Sequence, residues 1–293
     1  FLGSLIRRLK SRGIKIVFLA ADLELARPAT YSGLKSSYVI HQELSYLRQA
    51  DGIITHNQAY TRLIQSRGIN SSFMEFGLFD YLIPDEQLQR LQSRRNSGTP
   101  LVSSTDSGPS DGGTPLISND EGRPASGDHD TENRPDPNGP VMIATNLDPV
   151  KAGYAYHLPA GTDFILYGPN YRPELQQSAD AQIYGTRDGE KLNTAREPGV
   201  PGRITYGGAF QADDLIDHMK GSYGLLWDGP SPDTCAGPFG SYLRVNTPHR
   251  ISLFLACGIP VIVWDQSAMA PLVLEHDLGF AVSSLEEIPA KRR

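Results

Sequence analysis

The stretch from Thr247 to Trp264 constrains this chain more than any other. It reads as one helix followed directly by one buried strand. Thr247 is placed to cap the helix, Pro248 suits its first position, and Gly258 suits its left-handed stop. Ile259 to Trp264 is a short apolar run of the kind that a parallel sheet buries on both faces. The unit is therefore α/β, and His249 and Arg250 fall in the first turn of its helix. Free N–H groups and the helix dipole both favour a phosphate there.

The same alternation runs along the rest of the chain. Leu2, Leu5, Ile6 and Leu9 share one helical face, and Gly13 can end that helix. A strand is expected over Ile14 to Leu19, a helix over Tyr38 to Ala50 and a strand over Gly52 to His56. A helix over Gln58 to Ser66, closed by Gly68, and a weaker strand over Ile69 to Met74 complete this block. A second block carries strands at Val141–Thr145, Asp163–Gly168, Ile204–Tyr206, Tyr223–Asp228, Ile259–Trp264 and Gly279–Val282. Its helices are expected over Asp213 to Lys220, Pro248 to Cys257 and Met269 to His276. Parallel sheets covered by helices are implied.

Between the blocks, Ser93 to Pro140 is crowded with Gly, Pro, Ser, Asp and Asn. Such a segment cannot bury enough apolar surface to offset its ordering, so a disordered linker or surface insertion is expected. The Asp128-His129-Asp130 triplet within it has the form of a metal-binding motif, but reads as a chance occurrence in an acidic tract. The organisation expected is thus 1–92, a Rossmann-like domain incomplete at its start; 93–140, the linker; and 141–293, a second Rossmann-like domain. The chain opens on Phe1 and closes at Arg293 just after the apparent start of another helix, so it reads as a piece of a longer protein.

A net charge of −6 argues against a general nucleic-acid or anionic-membrane binder. With Cys235 and Cys257 its only cysteines, the chain has no disulfide framework, and a reducing compartment fits. No apolar run is long enough to span a bilayer, and no signal-peptide pattern is present. P-loop, nucleophile-elbow, His-Glu-x-x-His and Gly-x-Gly-x-x-Gly signatures are all missing.

Ligands of open parallel sheets bind beyond the carboxyl ends of the strands. That rule selects Asn146 to Lys151, Gly168 to Arg172, and Asp228 to Asn246. Arg250 would hold a diphosphate with the helix end, and a solvated arginine is the alternative. His249 either bonds a phosphate or sugar hydroxyl or packs on a loop. Asn246 and Thr247 serve a ligand or only the turn and cap. Lys151 meets phosphate or stays exposed. Asp228 accepts a hydroxyl or opens a turn. Tyr223 and Tyr242 stack on a base or sugar, or pack. Cys235 has no base beside it and reads as a spectator thiol. Asp22 and Glu24 follow a strand, so either is a candidate base, with helix capping by Asp22 the simpler reading. His41 and His56 lack metal-ligand spacing.

The run Gly221-Ser222-Tyr223-Gly224-Leu225-Leu226-Trp227-Asp228-Gly229 resembles a bacterial sugar-transferase family. So do Asp233 to Arg250, Gly258 to Trp264, Leu278-Gly279-Phe280 and Ser284 to Ile288. The family includes β-1,6-galactofuranosyltransferases and the glucosyltransferases that extend glycans on serine-rich-repeat adhesins. The likeness is long over Val141 to Ile288 and looser over Gly13 to Asp80. It implies a GT-B fold, two Rossmann-like domains facing across a cleft, with the UDP-sugar held by the C-terminal one.

It also implies that Asn246, Thr247, His249 and Arg250 sit at the UDP pyrophosphate. The family often has Asn-Pro-His-Lys here; this chain carries Thr247 and Arg250 in place of the Asn and the Lys. Arg keeps the charge with a different geometry. The family's N-terminal glycine/serine-rich loop and C-terminal helix are not in this sequence, and the linker is unusual for it. The expected donor-nucleotide set is Asn146, Lys151, Tyr223, Asp228, Tyr242, Asn246, Thr247, His249 and Arg250.

The resemblance thus implies a cytoplasmic enzyme that moves a hexose (glucose, galactose or galactofuranose) from a UDP-sugar to a glycan or glycoprotein hydroxyl. It would use no metal and no cofactor, and Asp22 or Glu24, from their place after a strand, are the candidate bases. Homo-oligomers are compatible with it. The alternative is a non-catalytic nucleotide-sugar-binding or scaffolding subunit of a glycosylation complex.

Overall fold

Two parallel sheets organise the molecule. The computed structural model describes residues 2–27, 33–79, 83–96, 138–176, 184–185 and 202–292. The first sheet has three strands in the order β1-β2-β3: Val17–Leu19, Gly52–Thr55 and Ser72–Glu75. Helices α1 (Leu2–Lys10), α2 (Gly33–Leu47) and α3 (Gln58–Gln65) accompany it, and α4 (Asp85–Asn96) follows.

The second sheet has seven strands, ordered β10-β9-β8-β4-β5-β7-β6, and every pair is parallel. They are β4 (Val141–Ala144), β5 (Phe164–Tyr167), β6 (Tyr184–Gly185), β7 (Ile204–Gly208), β8 (Tyr223–Leu226), β9 (Val261–Trp264) and β10 (Gly279–Val282). Between them run α5 (Pro149–Ala152), α6 (Ala212–His218), α7 (Gly237–Tyr242), α8 (His249–Ala256) and α9 (Ala270–Glu275), with α10 (Ile288–Lys291) last. The architecture is α/β, with two parallel sheets, as the resemblance implies.

Helix α8 shows how the local sequence dictates the structure. Gly258 takes φ +65°, and the Gly258 and Ile259 N–H groups donate back to Leu255 and Phe254. This is a Schellman end, which needs a residue without a Cβ penalty. All four residues of β9 are buried, as expected for a central parallel strand. The helix lies close on the sheet because Gly224 leaves room: a Cβ there would come 2.3 Å from the Phe254 ring. Phe254, Met142 and Val263 form the core on that face, while Trp227, Trp264 and Phe164 fill the other.

The start of α8 differs from expectation. Its N-cap position is Pro248, with no side-chain cap, and the helix begins at His249. Thr247 does not cap, because its buried hydroxyl is engaged by Asn57 instead.

Two other expectations change. Helix α4 runs past residue 92 to Asn96, so the expected linker begins inside a helix. Gln87 and Arg90 anchor that helix to α6 through the Asp213 carbonyl and the Asp217 carboxylate. Residues 97–137, with Asp128, His129 and Asp130, lie outside the described residues. The first sheet is covered on one face only among the described residues. Val17, Leu19 and Met74 point from its other face and are 58%, 61% and 58% exposed.

A third core, around Ile53, Tyr60 and Ile64, belongs to the first unit but takes in Tyr242 from the second. Tyr242 and Tyr60 meet edge to face at 6.4 Å. The units are therefore joined by packing as well as by the chain. Among the described residues no helix is long and apolar enough to cross a membrane.

Candidate functional site

Strand β4 has β5 on one side and β8 on the other, and the order of connection reverses there. A crevice outside the carboxyl ends of β4 and β8 is the expected ligand place in such a sheet. The residues that follow these strands are Thr145 and Trp227-Asp228. Arg250, from the first turn of α8, spans the gap between them. Its guanidinium pairs with Asp228 at 2.9 Å and donates to Thr145 Oγ1 and the Trp227 carbonyl, each at 3.2 Å. Beside it opens a cleft of about 420 Å³ lined by Thr145, Gly168, Pro169, Phe210, His249 and Arg250 among others. That size suits a small-molecule ligand.

This arrangement revises two expectations. Arg250 is neither a solvated arginine nor a free phosphate hook, since its side chain is only 11% exposed. Burial is the largest effect and works against its charge, but Asp228, Tyr154 and Cys235 together outweigh it, and its pKa is raised. Asp228 is occupied by Arg250 through one oxygen, so that oxygen is not available to a sugar hydroxyl. Its other oxygen, Oδ1, is buried without a hydrogen-bond partner, as is Arg250 Nε.

Lys151 follows α5's cap residue, Asp148, whose side chain accepts from the Val150 N–H. It is half-buried rather than exposed, with Nζ 5.6 Å from the centre of the Phe239 ring. Burial lowers its pKa, Asp228 opposes that, and Arg250 and Arg27 add to it. Arg27, which sequence reasoning missed, comes from the first unit. Its guanidinium lies 5.5 Å from both the Phe239 and Tyr242 rings and 3.6 Å from Asp22. No local pattern marked it, since it lies in the loop after β1, far in sequence from the rings it meets.

The two candidate bases separate. Asp22 is an exposed carboxylate at φ +50° that accepts from the Tyr242 hydroxyl at 3.3 Å, and so faces the second unit. It caps no helix, because α2 begins only at Gly33. Glu24 is buried and accepts from the Ser36 hydroxyl at 2.7 Å. Its carboxylate is turned into the first unit and away from the cleft.

The remaining expected residues fall in three places. His249 is exposed at the cleft with Phe79 stacked on it, ring centres 3.5 Å apart. Asn246 and Thr247 face the first unit, bonded to His56 and Asn57. Asn146 is exposed, but its Oδ1 accepts from the Asp148 N–H and the Asn170 amide, which braces the loop. Tyr242 is buried between the units and unavailable for stacking on a ligand. Tyr223 opens β8 and so sits at the opposite end of the strand, against Phe280. It is not at the site.

In the Gly168–Arg172 loop, Tyr171 stacks on Tyr206 with ring centres 4.8 Å apart, so that ring is taken. Cys235 is buried and its thiol pKa is raised by that burial, which leaves it a spectator. His41 is exposed on α2. His56 is buried at the unit boundary, in contact with Tyr60, Phe76 and Phe79, and burial lowers its pKa. Among the described residues no three His, Cys, Asp or Glu side chains gather as a metal site.

Comparison with known proteins places these units. Residues 141–292 match the model of the glucosyltransferase 3-like C-terminal domain, and residues 1–78 that of the glucosyltransferase 3-like N-terminal domain. The β-1,6-galactofuranosyltransferase WbbI of Escherichia coli K12 is 35% identical over 152 residues, covering 50% of this chain and 37% of the relative. Glucosyltransferase 3 of Streptococcus gordonii is 30% identical over 137 residues, 43% of this chain and 39% of the relative. The chain thus matches less than two fifths of the length of either relative. Among solved structures, Anabaena Alr3699/HepE in complex with UDP and glucose aligns over 99% of this chain and 64% of its own, at 13% identity and TM-score 0.49. Sucrose-phosphate synthase of Thermosynechococcus elongatus aligns over 99% and 66%, at 11% identity and TM-score 0.48.

Proposed function

Because the chain belongs to the glucosyltransferase 3-like family, we propose that it moves a hexose from a UDP-sugar to a hydroxyl of a glycan or glycoprotein. The observation that carries this reading is that Arg250 and His249 line the cleft at the switch point of the large sheet, with Lys151 near enough to feel the charges of Arg250 and Asp228. The names of the two relatives point to glucose or galactofuranose as the sugar.

In the reaction, the acceptor oxygen bonds to the anomeric carbon. The bond from that carbon to the diphosphate oxygen breaks, and its electron pair leaves with UDP. The acceptor proton passes to a base, for which Asp22 is the better placed of the two candidates. The charge growing on UDP is met by Lys151, by the Arg250 end of α8 and by the first free N–H groups of that helix, without a metal or other cofactor. Arg250 acts here through a buried network, with Asp228 fixing its position. Two free cysteines and a nucleotide-sugar donor support a reducing, cytoplasmic setting.

The test is calorimetric titration with UDP, UDP-glucose and UDP-galactofuranose, without added metal, of the unchanged chain and of Lys151→Ala. Lys151 is the better probe than Arg250, whose loss would leave Asp228 charged, buried and unpaired. Binding that is sharply weakened in the variant supports the donor site. No binding to any UDP species overturns it. Binding without sugar transfer in the full-length protein favours the non-catalytic subunit.

A further inference from the structure

The Pro248 cap position of α8 has no side-chain bond to offer, and within its own unit the turn before it is held by the Val245 and Asn246 N–H groups, which donate to the Tyr242 carbonyl. Its further bonds come from side chains of the other unit. Asn57 Nδ2 donates to the Val245 carbonyl at 2.9 Å and to Thr247 Oγ1 at 3.0 Å. Its neighbour His56 meets Asn246 Oδ1 through Nδ1 at 2.9 Å. Two adjacent residues just past β2 thus grip all of Val245-Asn246-Thr247. At the same time Asn57 Oδ1 accepts from the Tyr60 N–H and caps α3, so its side chain is fixed at both ends.

We propose that Asn57 is a positioning residue for the donor site, acting across the unit boundary through Val245 and Thr247 to fix the first turn of α8. The inference rests on the donor-site reading above. The turn that Asn57 holds leads directly into His249 and Arg250, both of which line the cleft. A phosphate-binding helix end needs its N–H groups and side chains held in place before the ligand arrives. Pro248 and the bonds to the Tyr242 carbonyl limit the turn locally, and the Asn57 amide, with His56 beside it, ties it to the first unit, Asn57 through the capped α3. Asn57 does not touch the cleft, so its effect on a ligand is indirect.

The amide's two roles can be separated. Asn57→Ser and Asn57→Asp both keep a good N-cap for α3 but lose the donating Nδ2. Both variants of the chain are titrated with UDP by calorimetry, and backbone hydrogen exchange is followed without ligand. The expected result is a Kd for UDP raised roughly 5- to 30-fold in both variants, the span that one or two lost interactions give. Exchange should quicken over residues 245–251 and stay unchanged over α3, with little change in Tm.

An unchanged Kd for Asn57→Ser overturns the proposal. So does weakening in the Asp variant alone, which would mean charge repulsion rather than lost positioning. Faster exchange throughout both units also overturns it, because the role would then be general stability. If the unchanged chain does not bind UDP, the donor-site reading fails, and the exchange pattern alone decides whether Asn57 holds the turn.

Discussion

Arg250 and Asp228 form an ion pair 2.9 Å long, buried where the first turn of α8 meets the carboxyl end of β8. Both side chains are about nine-tenths withdrawn from water, at 11% and 9% exposure. In such a place neither charge is tolerable without the other. The pair therefore locks a helix end to a strand end at the sheet's switch point.

Removing one partner should be costly. Arg250→Ala is expected to lower stability by about 3–5 kcal/mol, because Asp228 is left buried and unpaired. Adding Asp228→Asn to it should recover part of that loss. Urea unfolding of the two variants checks both outcomes, and a single variant as stable as the unchanged chain would contradict the pairing.

Lys151 should give UDP binding a characteristic alkaline limb. Burial, then its cationic neighbours, lower its pKa against the opposing pull of Asp228. The ammonium therefore loses its proton, and with it its attraction for a diphosphate, at a lower pH than an ordinary lysine. UDP affinity should fall as pH rises through that lowered value. Lys151→Arg, which stays charged, should flatten the limb in titrations across alkaline pH.

His56 should make the fold sensitive to acid. Burial lowers its pKa below the ordinary 6.5, although the bond to Asn246 and the charge of Asp22 oppose this. Between the lowered value and 6.5 the unfolded chain binds more protons than the folded one. Stability therefore falls as pH drops through that window. Denaturant midpoints measured from neutral pH downward should show the slope, and His56→Gln should reduce it.

The candidate bases should behave differently. Asp22→Asn is expected to cut sugar transfer by about 10²–10⁴-fold, the usual worth of a general base. Glu24→Gln should leave turnover near that of the unchanged chain, because its carboxyl is spent on Ser36 inside the first unit. Initial rates of transfer, or of UDP release from UDP-sugar, would show whether the two separate.

Filling the space at Gly224 should push α8 away from its sheet. A Cβ there meets the Phe254 ring at 2.3 Å. Gly224→Ala is expected to cost about 1–3 kcal/mol, as overpacked cores do. A fall in Tm is the readout, and an unchanged Tm would mean that Phe254 can move aside.

Much of the fold was legible because it is written locally. The Ile259–Trp264 run is β9 with a lead-in, Gly258 is the stop it reads as, and α3 ends where Gly68 suggested. Helix α4 was not legible, since it is polar almost throughout and is held by contacts to α6. At the site, His249 and Arg250 were found from their place in a first turn. Tyr223 was misplaced although a signal existed: it opens its apolar run, and the carboxyl-end rule puts the first residue of a strand away from the ligand. Arg27 carried no signal, and His56 showed only that it ended a strand.

The sequence by itself determined the period of each element, most of the turns between them and the family, because these depend on neighbours within a few residues and on a long run of matched positions. Only the tertiary structure decided which charges meet. The partner of Arg250 follows from the order that sets β8 beside β4, and the contact of His56 with Asn246 joins residues 190 positions apart. Such pairings follow from sheet order and from the cost of burying a charge alone. Neither quantity exists in any local window of the chain.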